Sequence, residues 1–261
     1  MALSALRGAV GFLTRFPVGH DERAWTAFTA SPVAAVPVGY LVGGCLALPF
    51  LAAGVAHVAV PATVVAFAYL VATYGLTGIT HLDGVADCGD AAVVHGEPER
   101  RREVLKDTTT GVGAVAAVAL VVAGLALGAV AVAGLAVGAA VAVVVASEVG
   151  AKAAMATLAA VADPPHDGLG SALADGSGWS GVATAVALAL PVAGLGWWAG
   201  GDVAGVLVAA LPVAAALVVA GLAVGWARSR LGGVSGDVFG ATNELTRVVG
   251  LHVGVIAWTL S

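Results

Sequence analysis

The chain has 261 residues, of which 60% are apolar and only 10% charged, with a mean hydropathy of +1.00 and a formal net charge of −5. A soluble domain carries about a quarter charged residues, so a water-soluble globule is excluded. The acidic balance also excludes a nucleic-acid partner, which selects a basic stripe.

Between the charges lie runs of about 20 residues, the length that crosses a hydrocarbon core of about 30 Å. Arg7 and Arg15 bracket an apolar stretch too short for a cleavable leader, so the first long run is expected to direct the chain to the membrane. In chain order, spans are expected near 32–54, 60–80, 111–132, 135–160, 180–200, 203–226 and 245–261, six or seven in all. Residues 111–147 contain no charge and are too many for one crossing, so a fold is placed near Ala133–Gly134. The last segment is short and carries Arg247 and His252. The expected architecture is all-α: one integral membrane domain over 1–261, a polytopic helical bundle in the lipid bilayer. A homo-oligomer is compatible with it.

Much of the apolar character is Ala and Val, with 37 Gly. Close helix packing must therefore hold the bundle, and the pairs Gly39/Gly43, Gly124/Gly128, Gly134/Gly138 and Gly221/Gly225 have the four-residue spacing for it. Cys45 and Cys88 make no disulfide framework.

Alternating crossings put Arg7, Arg15, Arg23, Arg100–Arg102, Lys106, Lys152, Arg228 and Arg230 on one side. The opposite connections, near His57, Gly134 and Asp202, hold no Lys or Arg. By the positive-inside rule the N-terminus and polar loops are cytoplasmic, on a multi-pass protein of the cell membrane.

Those loops also hold most of the carboxylates. In His81-Leu-Asp83-Gly-Val-Ala-Asp87-Cys-Gly-Asp90 the aspartates stand at i, i+4 and i+7, one face if the segment is helical. Like charges on one stripe repel. A Mg²⁺ ion held by Asp83, Asp87 and Asp90 and shared with substrate phosphates resolves the repulsion; a solvated acidic loop or a helix cap is the plainer reading. His81, two residues before the stripe, is a candidate base. Lys106-Asp107-Thr-Thr-Thr-Gly111 leads into a span and offers hydroxyls and amides to a phosphate, or only a cap. Arg228 and Arg230 precede a Gly/Ser/Asp run containing Gly236, where they could fork a phosphate or merely mark the cytoplasmic side. Glu148 and Lys152, i and i+4 within a span, either pair or serve function. His166-Asp167-Gly168-Leu169-Gly170 reads as a turn, and His20, His57 and His252 as structural.

Four segments then carry a resemblance: Phe12-Leu-Thr-Arg-Phe-Pro-Val18, Thr77-Gly-Ile-Thr-His-Leu-Asp-Gly-Val-Ala-Asp87, Asp167-Gly-Leu-Gly170, and Leu231-Gly-Gly-Val-Ser-Gly-Asp-Val-Phe-Gly-Ala-Thr-Asn-Glu-Leu245. In order and spacing the chain resembles the cobalamin synthase family, the adenosylcobinamide-GDP ribazoletransferases. The resemblance implies a Mg²⁺-dependent phosphotransferase of late coenzyme B12 assembly, with adenosylcobinamide-GDP and α-ribazole (or its 5′-phosphate) as substrates and GMP released. It adds Asp107, Asp237 and Glu244 to the catalytic candidates beside Asp83, Asp87, Asp90 and His81. It also gives Lys106, Arg228, Arg230 and Gly236 the nucleotide side of the site. The chain departs from the family pattern at Ala91, Thr109 and Glu148. Two alternatives stand beside it. A CDP-alcohol phosphotransferase-like enzyme expects Ala-Arg after Asp-Gly, and a transporter would set its ionisable groups at mid-membrane.

Overall fold

The computed structural model describes residues 2–19, 21–56 and 59–261, so His20 and His57 lie outside the described residues. Two short helices, α1 (Ala2–Leu13) and α2 (Glu22–Thr29), come first. Asp21 caps α2, its Oδ1 accepting the Arg23 and Ala24 amides at 3.0 and 3.3 Å. The remaining helices are α3 (Ala35–Val55, entered through a 3₁₀ turn at Pro32–Ala34), α4 (Ala62–Thr77), α5 (Thr80–Val93), α6 (Pro98–Leu105), α7 (Val112–Val132), α8 (Val137–Val161), α9 (Leu169–Leu173), α10 (Trp179–Ala189), α11 (Ala193–Gly200), α12 (Val203–Leu231) and α13 (Gly236–Thr259). Among the described residues all regular structure is helical, as composition required.

Five segments are long and apolar enough to cross a membrane, Pro32–Val55, Val112–Val132, Val137–Val161, Trp179–Gly200 and Val203–Leu231; α4 and α5 make a sixth if taken together. They bend by 96° at their junction, however. The expected span 60–80 therefore ends at Thr77, and α5 turns across the end of the bundle. We read α4 as the crossing and the aspartate-bearing α5 as lying outside it. Pro191 is absorbed by a 3₁₀ turn between α10 and α11. Exposed Trp179 and the exposed pair Trp197/Trp198 stand near opposite ends of that span, about 27 Å apart along the helix axis, where interfacial aromatic rings belong.

The other correction concerns the last span. It begins at Gly236 rather than 245, and its first half holds Asp237, Glu244 and Arg247. These charges make α13 too polar to qualify by composition, yet it packs against α7, α8 and α12 because its buried ions find partners.

α8 is the axis of the bundle, buried along most of its length, whereas α7 is largely exposed to lipid. Small residues allow this. A Cβ on Gly39 or Gly43 of α3 would stand 2.8 Å from the Cα of Val149 or Val145 of α8. Gly124 and Gly128 likewise receive Val248 and Leu251 of α13. Gly138 approaches Ala199 while Gly134 meets only Ala131 of its own turn. Gly221 and Gly225 face open space within 4 Å and bring no helices together, since their side of α12 carries no neighbour.

Candidate active site

The site forms where α5 crosses the start of α13. The crossing is backbone on backbone: a Cβ on Gly84 would lie 2.5 Å from the Asp237 carbonyl oxygen, and one on Gly240 would lie 3.1 Å from the His81 Cα. These two glycines, one from each polar motif, set Asp83 of α5 beside Asp237 of α13. On the next turn of α5, Gly89 meets Gly113 of α7 in the same manner, its Cβ position 2.7 Å from the Gly113 carbonyl oxygen. The loop after α8 closes the top. Val234 donates its amide to the Asp163 carbonyl at 2.9 Å, and Gly170 packs on Val234 and Ser235.

The result is a cavity of about 250 Å³ lined by Phe12, Thr80, His81, Asp83, His166, Asp167, Ser235, Gly236 and Asp237 among others. Ser235 Oγ donates to Asp237 Oδ2 at 3.1 Å. Asp87, one turn beyond Asp83, belongs to the same negative field. Burial first, then the neighbouring Asp237, Asp83 and Asp90, pushes its carboxyl up to about 6. Among the described residues, Asp83, Asp87 and Asp237 take part in no ion pair. Oxygen donors in excess, without a basic partner, fit a hard divalent cation that completes its shell from phosphate and water. Among the described residues no three acidic, His or Cys side chains already converge as a finished cage.

Asp90 does not point with the other two. Its Oδ2 accepts the Gly111 amide at 2.7 Å and its Oδ1 the Ala114 amide at 2.8 Å, so it caps α7. The i+7 position shares the helical face, but the adjacent helix start claims the carboxylate. Asp107 is exposed and accepts the Thr109 amide in its own turn at 3.0 Å. Lys106 and Arg230 are exposed and do not line the cavity. Arg228 binds Asp163 Oδ2 at 2.6 Å and the Val161 carbonyl at 2.8 Å, tying the end of α12 to the end of α8.

Glu244 lies beneath the cavity rather than in it. It belongs to a buried network with Glu148 and Lys152 of α8 and with Asn243 and Arg247 of α13. Arg247 forks onto Glu148, Nε on Oε1 and Nη2 on Oε2, and its Nη1 donates to Glu244 Oε1 at 2.7 Å. Lys152 Nζ lies 3.7 Å from Glu148 Oε2 and donates to Asn243 Oδ1 at 2.5 Å. Two acids and two bases cancel, which makes their burial tolerable. His81 joins the two regions: it lines the cavity, and its Nδ1 stands 3.9 Å from Glu244 Oε1. Burial first, then Lys152 and Arg247, holds His81 well below the usual histidine range. Both causes favour the neutral ring, the state a base requires.

The turn expected at His166–Gly170 is bent over its first residues and helical from Leu169, and beyond that expectation His166 and Asp167 line the cavity. Their signal was polarity in a chain with few polar residues to spare. Arg247, noted only as a charge in the last segment, is the partner of Glu148 across 99 residues. His252 does hold structure, its Nε2 lying 3.0 Å from the Gly124 carbonyl oxygen.

The sequence profile of the cobalamin-5-phosphate synthase family matches residues 5–255. The chain belongs to this family. A relative named adenosylcobinamide-GDP ribazoletransferase from Halorubrum lacusprofundi is 53% identical, the match covering 99% of each chain. One of the same name from Haloquadratum walsbyi is 44% identical over 100% of each. Another, from Archaeoglobus fulgidus, is 32% identical over 99% of this chain and 100% of its own. No solved structure matches. As a member of the cobalamin-5-phosphate synthase family, the chain brings its two family-like polar segments, 77–87 and 231–245, together at the crossing of α5 and α13.

Proposed function

We propose that this protein is an adenosylcobinamide-GDP ribazoletransferase: it joins α-ribazole, or its 5′-phosphate, to adenosylcobinamide-GDP and releases GMP. Family membership supports the reaction. The observation that carries its location is the pair of unpaired carboxylates Asp83 and Asp237 lining a cavity at one end of an apolar bundle, with Asp87 in the same negative field. In the transfer, a ribazole oxygen bonds to the phosphorus attached to cobinamide, the diphosphate bridge breaks, and GMP leaves with the bridging oxygen. The nucleophile's proton goes to a base. Such a transfer asks the protein mainly to align the reactants and neutralise charge.

Asp83, Asp87 and Asp237 would hold Mg²⁺, with Asp90 fixing α5 to α7 behind them. Bound there, the ion supplies charge neutralisation for the diphosphate. Neutral His81, at the cavity wall, accepts the nucleophile's proton; Glu244 below it stabilises the resulting imidazolium across 3.9 Å. His166 and Asp167 close the opposite wall. The basic loops lie at this same end, so we place the site on the cytoplasmic face of the cell membrane.

The test uses purified protein in liposomes with Mg²⁺, adenosylcobinamide-GDP and α-ribazole. GMP and the joined corrinoid should appear in equal amounts. Turnover of a CDP-activated lipid with an alcohol, and none of the corrinoid, would overturn the reading.

A further inference from the structure

The family-like segment Phe12–Val18 enters the site as described so far only through Phe12, yet the rest of it is docked close by. The Arg15 amide donates to the Leu76 carbonyl at the end of α4 at 2.7 Å. Thr14 Oγ1 holds the turn, donating to the Val10 carbonyl at 2.7 Å and accepting the Phe16 amide at 3.2 Å. The Arg15 guanidinium then lies over Gly78, the residue at which α4 ends before α5 turns away. A Cβ on Gly78 would stand 2.9 Å from Arg15 Nε and 3.1 Å from Nη2. Gly78 also has φ +72°, a conformation that side chains with a Cβ disfavour. Two residues further on, Thr80 lines the cavity, and so does Phe12, three residues before Arg15.

Several other cations of the polar loops near this end are already engaged. Arg7 pairs with Asp21 at 3.2 Å, Arg100 with Glu103 at 2.9 Å, Arg102 with Glu99 at 2.7 Å and Arg228 with Asp163 at 2.6 Å. Among the described residues the exposed Arg15 side chain makes no ion pair and no hydrogen bond. The Arg15 backbone is anchored at Leu76 while its guanidinium is left as a planar donor without a partner among the described residues, close in sequence to Phe12 and, across Gly78, to Thr80 of the cavity wall. A diphosphate diester adds two negative charges to a cavity already lined by Asp83, Asp167 and Asp237, more in all than one divalent ion offsets, and guanidinium is the side chain whose fork matches phosphate oxygens.

We propose that Arg15 is a phosphate-binding residue of this site, gripping the diphosphate of the nucleotide-activated substrate. The inference rests on the transferase reading above and adds to it the substrate contact missing from the basic loops. The plainer role, a cation beside the last carbonyls of α4, would stabilise the helix end and leave ligand affinity alone.

The test measures inorganic pyrophosphate binding by calorimetry, in Mg²⁺, to the full chain in liposomes. Arg15→Ala should weaken binding at least about tenfold and Arg15→Lys by less, because lysine keeps the charge and loses the fork. Arg23→Ala, a cation on α2, should bind as the parent does. With adenosylcobinamide-GDP as substrate, Arg15→Ala should raise its KM by a similar factor and leave the KM for α-ribazole unchanged. Pyrophosphate binding by Arg15→Ala equal to the parent's would overturn the proposal, as would a parent that binds none. If the alanine variant fails to fold, Arg15→Lys decides: weaker pyrophosphate binding at an unchanged melting temperature supports the contact, and parental affinity removes it. Absence of GMP release by the parent would remove the transferase reading, while the pyrophosphate comparison would still judge Arg15.

Discussion

Gly84 meets Asp237 backbone to backbone, with 3.1 Å between a Cβ placed on Gly84 and the Asp237 Cα. Every carboxylate of the proposed centre depends on that approach. A methyl group there must push α5 off α13 and part Asp83 from Asp237. Gly84→Ala should therefore lower kcat at least about tenfold, because small misplacements of reacting groups are costly. Gly75→Ala, on α4 with nothing within 4 Å of its Cβ position, should stay within about twofold. Equal rates for the two variants would mean the crossing does not set the site.

Asp90 should behave as a structural residue. Its two amide bonds cap α7, so Asp90→Ala should cost about 1–2 kcal/mol in chemical unfolding, with the metal-dependence of activity unchanged. Asp83→Asn should show the reverse: near-parental stability and little activity. If Asp90→Ala instead raises the Mg²⁺ requirement without loss of stability, Asp90 is a ligand after all.

The outline of the fold was legible because hydrocarbon thickness fixes span length and the Lys/Arg loops alternate. The helix carrying Asp83 and Asp87 was legible for the same kind of reason, a period. What escaped were contacts between distant segments. Nothing local shows that Asp90 is claimed by the amides of Gly111 and Ala114, or that Glu148 waits for Arg247. The direction of α5 hid as well: the expected span ended near residue 80, but nothing local shows that the next helix leaves it at 96°. His166 was passed over because a loop residue has no periodicity to mark it.

The Glu148–Arg247 pair should be costly to break on one side only. Arg247→Met leaves two buried carboxylates with only Lys152 to oppose them, and should destabilise by about 3–5 kcal/mol. Replacing Glu148 by Gln in the same chain should recover part of that loss. Strictly additive losses in unfolding experiments would show that the two side chains do not compensate each other.

Acidity offers a separate handle. Asp87 is raised from 3.8 to about 6, so between roughly pH 4 and 6 the folded protein holds a proton that the unfolded chain has released. Its contribution to stability is therefore fullest below about pH 4 and is lost as pH rises through about 6. Metal-free protein should melt at a lower temperature at pH 7 than at pH 5. Added Mg²⁺ should raise the melting temperature strongly at pH 7 and weakly at pH 5, where the proton competes. Asp87→Asn should flatten both trends; a parental pH profile in that variant would show that another group titrates.

The central claim is that Asp83, Asp87 and Asp237 together form a Mg²⁺-dependent transfer centre. It is tested most directly by GMP release from adenosylcobinamide-GDP and α-ribazole across a Mg²⁺ titration, in the parent and in Asp83→Asn, Asp87→Asn and Asp237→Asn. The account predicts no turnover in EDTA. Each variant should lose about a hundredfold or more in turnover, roughly 2.8 kcal/mol at about 1.4 kcal/mol per tenfold, and should need more Mg²⁺ for half its own maximum. Parental activity in EDTA, or variants that keep both their rate and their Mg²⁺ midpoint, would contradict it.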